Sequence, residues 1–270
     1  MKDITILIPV HKFNDTVAPL LKKAIDSVID CQTEYKDKLV TWVVCPKSIE
    51  NDISSSGELY DVRDKFSIIS HDGNTDYCSQ INFAVDKVET DFFSILEFDD
   101  EYYYKWFKIV KEYYYGNESV SVFLPINIQC DPQEEHWQYG NELAVSNSFN
   151  SEDEFGVIDF KSLESCSMFN LTGGVINTSD FIKVGKYKPS IKIAFNYEFL
   201  LRLTNKKLKA LVIPKEGYKH VIGREDSLTD EYLKTIPEGE GSKWFALAYR
   251  ECKYDEDRNK GIDTVTDELK

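Results

Sequence analysis

The first hundred residues alternate between segments that predict buried strands and segments that predict helices. Apolar, mostly β-branched runs occur at 4–10, 39–44, 66–70 and 92–96. Residues 17–29 and 77–88 instead place apolar side chains at helical spacing, and the polar stretch 46–64 predicts a loop or a short helix. A strand, a crossover helix and a second strand form the βαβ unit of a parallel sheet. The alternation therefore predicts an α/β fold with a Rossmann-like, mostly parallel central sheet flanked by helices.

The fourth strand-like run ends in a cluster of acidic residues: Glu97, Asp99, Asp100 and Glu101. In an extended backbone Glu97 and Asp99 project to one side and Asp100 to the other, where we expect it to hold the following turn. Open α/β sheets bind ligands at the carboxyl ends of their strands. Paired carboxylates repel unless a proton or a cation lies between them, and hard oxygen ligands suit Mg²⁺ or Mn²⁺. The pattern predicts a metal site at Glu97 and Asp99, with an ordinary acidic loop as the alternative.

The second half of the chain predicts a continuation of the same domain. Further helix-like or strand-like segments occur at 103–115, 119–128, 195–203, 208–213 and 244–252. Residues 131–165 are acidic and poorly periodic, which is more typical of a surface excursion than of a second domain. The pair Gly173-Gly174 permits a tight bend or a close approach of the backbone to a ligand.

Net charge limits the partners of this chain. The 270 residues carry a formal charge of −15, so nucleic acid is an unlikely partner because a broad basic surface is missing. A phosphorylated ligand would need a metal ion or a local basic pocket to offset this acidic field.

The cysteines and the first residues of the chain favour a soluble, cytoplasmic protein. The six cysteines form no C-x-x-C pair and have no histidine at zinc-finger spacing, which predicts reduced thiols and neither a disulfide framework nor a structural zinc. The apolar run at 4–10 is too short for a signal peptide or a membrane span, so no transmembrane segment is expected.

Several short motifs occur in a fixed order along residues 4–228. They are the opening strand at 4–11, the turn and helix at 73–82, Leu-Glu-Phe-Asp-Asp-Glu at 96–101, Thr-Gly-Gly at 172–174, the segment Phe-Asn-Tyr-Glu-Phe-Leu-Leu-Arg-Leu at 195–203, and Tyr-Lys-His at 218–220 followed by Ser-Leu at 227–228. Together they resemble a family-2-type glycosyltransferase of the GT-A fold, which uses a nucleotide-diphosphate sugar as its donor. Glu97 stands where that family's signature has its first aspartate.

The resemblance implies roles for individual residues. Those expected to contact the donor nucleotide sugar are Pro9, His11, Lys12, Asp76, Asn82, Asp99 and Arg224. Those expected to hold a divalent Mn²⁺ or Mg²⁺ that bridges the donor diphosphate are Glu97, Asp99 and His220. Glu198 is the candidate catalytic base. Residues 1–128 would form the nucleotide and metal half and 129–250 the acceptor half of a single domain with an acceptor-side excursion, followed by a charged tail at 251–270.

Two departures from the family pattern bear on the donor and on the base. Cys45-Pro46-Lys47-Ser48 stands where the family usually has Asp-Asp-Gly-Ser, so recognition of the nucleotide base does not carry over. Asn196 stands at the usual base aspartate, and an amide cannot take a proton. Glu198 lies about 200° further around a helix with ~3.6 residues per turn, and an ion pair with Arg202 at i, i+4 is its alternative role.

Three functions follow from these residues. The first is a metal-assisted glycosyltransferase that moves a sugar from a nucleotide-diphosphate donor to an unknown glycan, protein or small-molecule acceptor. The second is a catalytically inactive GT-A-like structural or carbohydrate-binding module, in which the loss of the base aspartate accompanies the loss of turnover. The third is metal-dependent phosphoryl or nucleotidyl transfer, which the same carboxylates could support.

Overall fold

The computed structural model describes residues 1–133, 135, 137–148, 155–224, 227–237 and 240–253. Its strands are β1 (Ile4–Pro9), β2 (Leu39–Pro46), β3 (Phe66–His71), β4 (Phe92–Ile95), β5 (Glu101–Tyr102), β6 (Val120–Cys130), β7 (Gln138–Gly140), β8 (Val157–Ile158), β9 (Val175–Asn177) and β10 (Lys209–Val221). Its helices are α1 (Val17–Glu34), α2 (Lys47–Ser55), α3 (Tyr77–Val85), α4 (Trp106–Tyr114), α5 (Glu142–Ser148), α6 (Phe160–Ser165), α7 (Thr178–Val184), α8 (Phe195–Asn205), α9 (Leu228–Thr235) and α10 (241–253), with a 3₁₀ helix at Tyr60–Lys65.

The strands join into one sheet in the order β3-β2-β1-β4-β9-β6-β10-β5, with β7 beside β6 and β8 beside β10. Strands β3, β2, β1 and β4 run parallel, and β6 runs parallel to β10. Strand β9 is antiparallel to both of its neighbours, β4 and β6. The mixed α/β domain with a mostly parallel central sheet confirms the fold class that the strand and helix alternation predicts.

Both faces of the sheet are buried, which explains why the central strands are nearly continuous apolar runs. Along β1, Ile6 and Ile8 face a cluster that includes residues of α1 and α4, whereas Leu7 faces a second cluster with residues of α3, α7 and α8. This alternation follows from the period of two residues in an extended strand. Helices on both faces leave the carboxyl edge of the parallel strands as the accessible side for a ligand.

The largest differences from the sequence prediction occur at β4 and β10. Strand β4 ends at Ile95, and the chain then turns, with the Asp100 amide donating to the Glu97 carbonyl oxygen at 3.1 Å. Strand β10 continues through Tyr218, Lys219 and His220, which the sequence pattern leaves outside a strand. It does so because β10 pairs with β6 almost throughout, across register shifts between Val212 and Tyr218 that hide its periodicity.

The predicted surface excursion and the predicted tail are only partly described. Within 131–165 the structure has two short strands, β7 and β8, and two short helices, α5 and α6. Helix α10 runs to residue 253, and the remaining part of the expected tail, 254–270, lies outside the described residues. None of the helices in the described part of the chain is long and apolar enough to cross a membrane.

Candidate metal centre and cleft

The carboxyl ends of β1 and β4 open onto a cleft that is also bordered by α3, α8 and the segment after β10. The described residues that line it are Pro9, His11, Tyr77, Glu97, Phe98, Asp99, Lys192, Phe195, Arg224, Ser227, Leu228 and Tyr232. This location agrees with the rule that α/β sheets bind ligands beyond the carboxyl ends of their strands.

Glu97, Asp100 and His220 form a compact group that could hold a metal ion. One ligand atom of each lies within 4.8 Å of the others. Asp100 is 1% exposed, and its two carboxylate oxygens are both engaged: Oδ2 lies 2.7 Å from Nδ1 of His220, and Oδ1 accepts a hydrogen bond from the Val221 amide at 2.8 Å. The turn after β4 and the extension of β10 therefore bring residues 120 positions apart in the chain to one point.

Burial and mutual repulsion perturb the acidic groups at this point. Burial, and then the neighbouring Asp100 carboxylate, raise the pKa of Glu97 to about 8. The same two causes raise the pKa of Asp99 to about 6. Burial alone would lower the pKa of His220, but Asp100 and the other carboxylates outweigh it and raise that pKa to about 9. The raised pKa values of Glu97 and Asp99 show that these buried carboxyl groups resist ionisation, and a bound cation would favour their charged forms.

Asp99 lies apart from this group and forms an ion pair across the cleft. Its Oδ2 accepts from Nε of Arg224 at 2.8 Å, and the guanidinium of Arg224 stands 4.9 Å from the centre of the Phe98 ring. The expectation that Glu97 and Asp99 share a side, with Asp100 facing away, assumes an extended backbone. Because the strand ends at Ile95, the geometry instead groups Asp100 with Glu97 and His220.

Tyr218 fixes the backbone of Glu97 through its hydroxyl group. The amide of Glu97 donates to the Tyr218 hydroxyl oxygen at 3.0 Å. The Tyr218 ring packs against Gly173, where a Cβ atom would stand 2.4 Å from ring carbon Cδ2. Gly173 has φ +77°, a conformation that glycine adopts without strain. The Gly173-Gly174 pair therefore serves a tight turn against Tyr218, one of the two roles that the sequence left open.

His11 and several aromatic residues form the other walls of the cleft. Nε2 of His11 is buried and has no hydrogen-bond partner among the described residues, and the ring lies 5.9 Å from that of Phe98. Burial, followed by the nearby Lys12 charge, lowers the pKa of His11 to about 4. Opposite, the rings of Tyr77 and Phe195 stand 5.2 Å apart. A neutral imidazole and aromatic faces suit the nucleoside or sugar part of a ligand.

Glu198, the expected base, is buried in an ion-pair cluster and is not among the described residues that line the cleft. Its side chain is 4% exposed and bonds Arg202 at 2.7 Å through both carboxylate oxygens, while Lys188 stands 2.8 Å from Oε1. The structure therefore gives Glu198 the i, i+4 pairing that is its alternative role.

The other expected donor contacts divide between the cleft and its surroundings. Pro9, His11 and Arg224 line the cleft. Lys12 is paired with Glu231 of α9 at 3.3 Å. Asp76 caps α3 by accepting from the Ser79 amide at 3.0 Å. Asn82 bonds the backbone N–H and carbonyl of Tyr187 at 3.0 and 2.8 Å. The last two side chains support the walls of the cleft and do not line it.

Tyr77, Lys192 and Tyr232 line the cleft without having been singled out from the sequence. Tyr77 lies in a helix whose pattern signals only packing, and Lys192 and Tyr232 lie in segments without a clear pattern. Asp100 belongs to the acidic motif, but alternation along an extended strand predicts that its side chain faces away from Glu97. In the structure the two side chains lie together.

No protein-family model matches the sequence, and no curated protein matches it. Solved structures do match. TarS 1–349 from S. aureus in complex with UDP-GlcNAc aligns with a TM-score of 0.64 at 13% identity, over 92% of this chain and 66% of that one. The mannosyltransferase PcManGT from Pyrobaculum calidifontis, in complex with GDP-Man and Mn²⁺, aligns with a TM-score of 0.61 at 12% identity, over 97% of this chain and 75% of that one.

A longer TarS structure has a TM-score of 0.58 at 14% identity, and this chain spans only 43% of its length. At such low identity the likeness establishes the fold alone. The chain has the GT-A type of fold, as its sequence resemblance predicts.

Proposed function

We propose that this chain is a glycosyltransferase that moves a sugar from a nucleotide-diphosphate donor to an acceptor, with the help of a divalent metal. The observation that carries the proposal is the group Glu97, Asp100 and His220 beside a cleft at the carboxyl edge of a GT-A sheet. The TarS complex with UDP-GlcNAc and the PcManGT complex with GDP-Man and Mn²⁺ support it. In this proposal the donor binds in the cleft.

The donor set of the proposed metal site fits Mn²⁺ or Mg²⁺. Glu97 and Asp100 offer carboxylate oxygens and His220 offers an imidazole nitrogen, a combination that suits Mn²⁺ well and Mg²⁺ through its two oxygens. A bound ion would act as a Lewis acid on the diphosphate as it leaves the sugar. Asp100 fixes the orientation of His220 through its 2.7 Å contact with Nδ1.

Cationic side chains around the cleft would bind the remaining phosphate charge. Arg224 and Lys192 line the cleft and Lys12 lies beside it. In a chain with a formal charge of −15, a local group of cations is what a diphosphate needs in order to bind.

Asp99 is the carboxylate left to accept a proton from the acceptor. Glu97 and Asp99 are the carboxylates among the described cleft-lining residues, and Glu97 belongs to the proposed metal group. Asn196 cannot take a proton, and Glu198 is held by Arg202 and Lys188. We therefore assign the base role to Asp99, whose release from Arg224 would accompany binding of the donor.

Two matched substitutions test this assignment. Asp100→Asn should weaken Mn²⁺-dependent binding of UDP or GDP by about 10–100-fold, the usual cost of disturbing a metal site. Asp99→Asn should leave that binding within about three-fold but lower turnover by ~10²–10⁴-fold, the usual contribution of a general base. Binding is measured by isothermal titration calorimetry, and turnover by release of nucleoside diphosphate from UDP and GDP sugars.

The outcomes separate the two leading functions. If no combination of nucleotide and metal binds, the glycosyltransferase proposal is wrong. If nucleotide binds with Mn²⁺ but no sugar donor is turned over, the inactive GT-A-like module is correct. Asn196 at the usual base position is the observation that favours this alternative.

A further inference from the structure

Helix α9 forms one wall of the cleft. Leu228 and Tyr232, together with Ser227 just before the helix, line it, and the space that remains is a cavity of about 60 Å³. Sites for drug-sized ligands and cofactors typically enclose ~300–1,000 Å³. The enclosed space beside α9 is therefore smaller than a typical ligand site, and a nucleotide-diphosphate sugar would fill it only if α9 moved outward.

Two cation contacts hold α9 against the body of the protein. Nζ of Lys12, just after β1, lies 3.3 Å from Oε1 of Glu231. Nζ of Lys192, before α8, lies 4.9 Å from the ring centre of Tyr232. The side chains of Lys12 and Glu231 are 32% and 50% exposed, and exposed pairs of this kind are weak. The Lys12–Glu231 pair is therefore a contact that a stronger ligand can replace.

The contacts of α9 engage the cations that a diphosphate would use. Lys12 faces Glu231 and Lys192 faces Tyr232 of α9, whereas Arg224, four residues before the helix, pairs with Asp99. The carboxylate of Glu231 presents to Lys12 the same kind of oxygen anion that a phosphate would present. Helix α9 thus lines the proposed donor site and engages two of its three cations, Lys12 and Lys192.

We propose that α9 is a displaceable plug, which closes the cleft in the free protein and competes with the donor diphosphate for Lys12 and Lys192. The inference rests on the proposed function for the identity of the competing ligand, but closure by α9 can be measured without any ligand. Because the plug lowers the fraction of molecules that can bind, the apparent dissociation constant for nucleotide rises in inverse proportion to that fraction.

Amide hydrogen exchange over α9, measured by mass spectrometry without nucleotide, tests the closure itself. Glu231→Gln keeps the shape of the side chain and removes its charge, so exchange at 228–235 should become about two- to five-fold faster, as expected for the loss of an exposed ion pair. Adding Leu228→Ala to that variant removes an apolar contact with the cleft and should raise the exchange rate further. Glu240→Gln is the control, because Glu240 pairs with Lys243 at 2.7 Å and does not line the cleft.

Titration of UDP and GDP with Mn²⁺ into the same four proteins tests the competition. Glu231→Gln should bind about two- to five-fold more tightly than the unchanged protein and than Glu240→Gln, and saturating nucleotide should speed exchange over α9 in the unchanged protein. Equal exchange and equal affinity in all variants would overturn the plug. Faster exchange in Glu231→Gln with no nucleotide binding to any variant would support closure and reject the proposed function instead.

Discussion

At the scale of single residues, Asn196 is held by both ends of its amide. The Tyr187 hydroxyl donates to Oδ1 of Asn196 at 3.2 Å, and Nδ2 of Asn196 donates to Oδ1 of Asn170 at 3.0 Å. The Thr172 amide also donates to that Asn170 oxygen, at 3.0 Å, which fixes it as an acceptor. Residue 196 must therefore supply a donor, and an amide does so where an aspartate would not.

Replacing Asn196 with aspartate should destabilise the protein and should not create a base. Asn196→Asp sets a carboxylate against the Asn170 oxygen, and we expect the free energy of unfolding to fall by roughly 1–3 kcal/mol, the cost of an unsatisfied or repelled polar group. Urea denaturation at pH 7 measures this. Asn51→Asp, on the exposed surface of α2, is the control. A more active or more stable Asn196→Asp variant would contradict this account of the position.

His11 should make the stability of the fold sensitive to acid. Burial and the Lys12 charge lower its pKa from 6.5 to about 4, so the unfolded chain takes up a proton at a pH where the folded protein does not. The contribution of His11 to the free energy of unfolding is constant above about pH 6.5 and falls as the pH drops towards 4. Urea denaturation at pH 7, 6 and 5 should show that His11→Gln loses less stability with falling pH than the unchanged protein. Parallel pH profiles would refute the assignment.

At the scale of elements, the turn before β9 supports the acidic loop after β4. Trp106 of α4 donates from Nε1 to the Gly173 carbonyl oxygen at 2.8 Å, and the Tyr218 ring of β10 lies against the same glycine. Tyr218 in turn holds the Glu97 amide. Helix α4, the turn at Gly173 and strand β10 therefore together set the position of Glu97.

Gly173→Ala should disturb both stability and the metal group. The new Cβ atom would collide with Tyr218 in a backbone conformation with φ +77°, so we expect a loss of roughly 2–4 kcal/mol from strain and overpacking. A displaced Tyr218 should also weaken Mn²⁺ binding. Urea denaturation and calorimetry measure the two effects. Gly57→Ala, where a Cβ atom meets nothing within 4 Å, should show neither; a neutral Gly173→Ala would contradict the proposed support.

Element boundaries explain which site residues the sequence could identify. The apolar runs of β1 to β4 locate the carboxyl edge of the sheet because burial on both faces produces a strong local pattern. The side on which Asp100 lies depends on where β4 stops, and that is decided by a turn and by the pairing of β5 with β10. Alternation along the chain carries no information about such long-range pairing.

At the scale of the whole molecule, the fold was more predictable than the site. Each strand and helix pattern in the first hundred residues independently predicts part of the parallel sheet. The order of the motifs also agrees with the GT-A fold of TarS and PcManGT. Lys192 and Tyr232 reach the cleft through loops and a short helix whose positions depend on tertiary contacts. The candidate metal group also draws on both predicted halves of the chain, with Glu97 from the first and His220 from the second.

The burial of cysteines gives a test of the whole core. Five of the six are buried and Cys166 is half-buried. Burial raises the pKa of Cys45 to about 12 and raises those of Cys31 and Cys78 as well. The thiolate is the reactive form of cysteine. In the native protein at pH 8, only Cys166 should therefore react rapidly with an aromatic disulfide reagent. In urea all six cysteines should react. Cys166→Ser should abolish the rapid reaction, and several fast thiols in the native protein would contradict this core.

Strand β9 has a consequence for the synthesis of this chain. Residues Phe92–Ser94 of β4 pair with Val175–Asn177 of β9. During synthesis on the ribosome, this edge of β4 therefore has no partner until β9 emerges. Open strand edges are templates for pairing with other chains, and nascent chains that expose them aggregate. The N-terminal half contains most of the parallel strands. If it were produced by itself, the edge of β4 that pairs with β9 would remain unprotected.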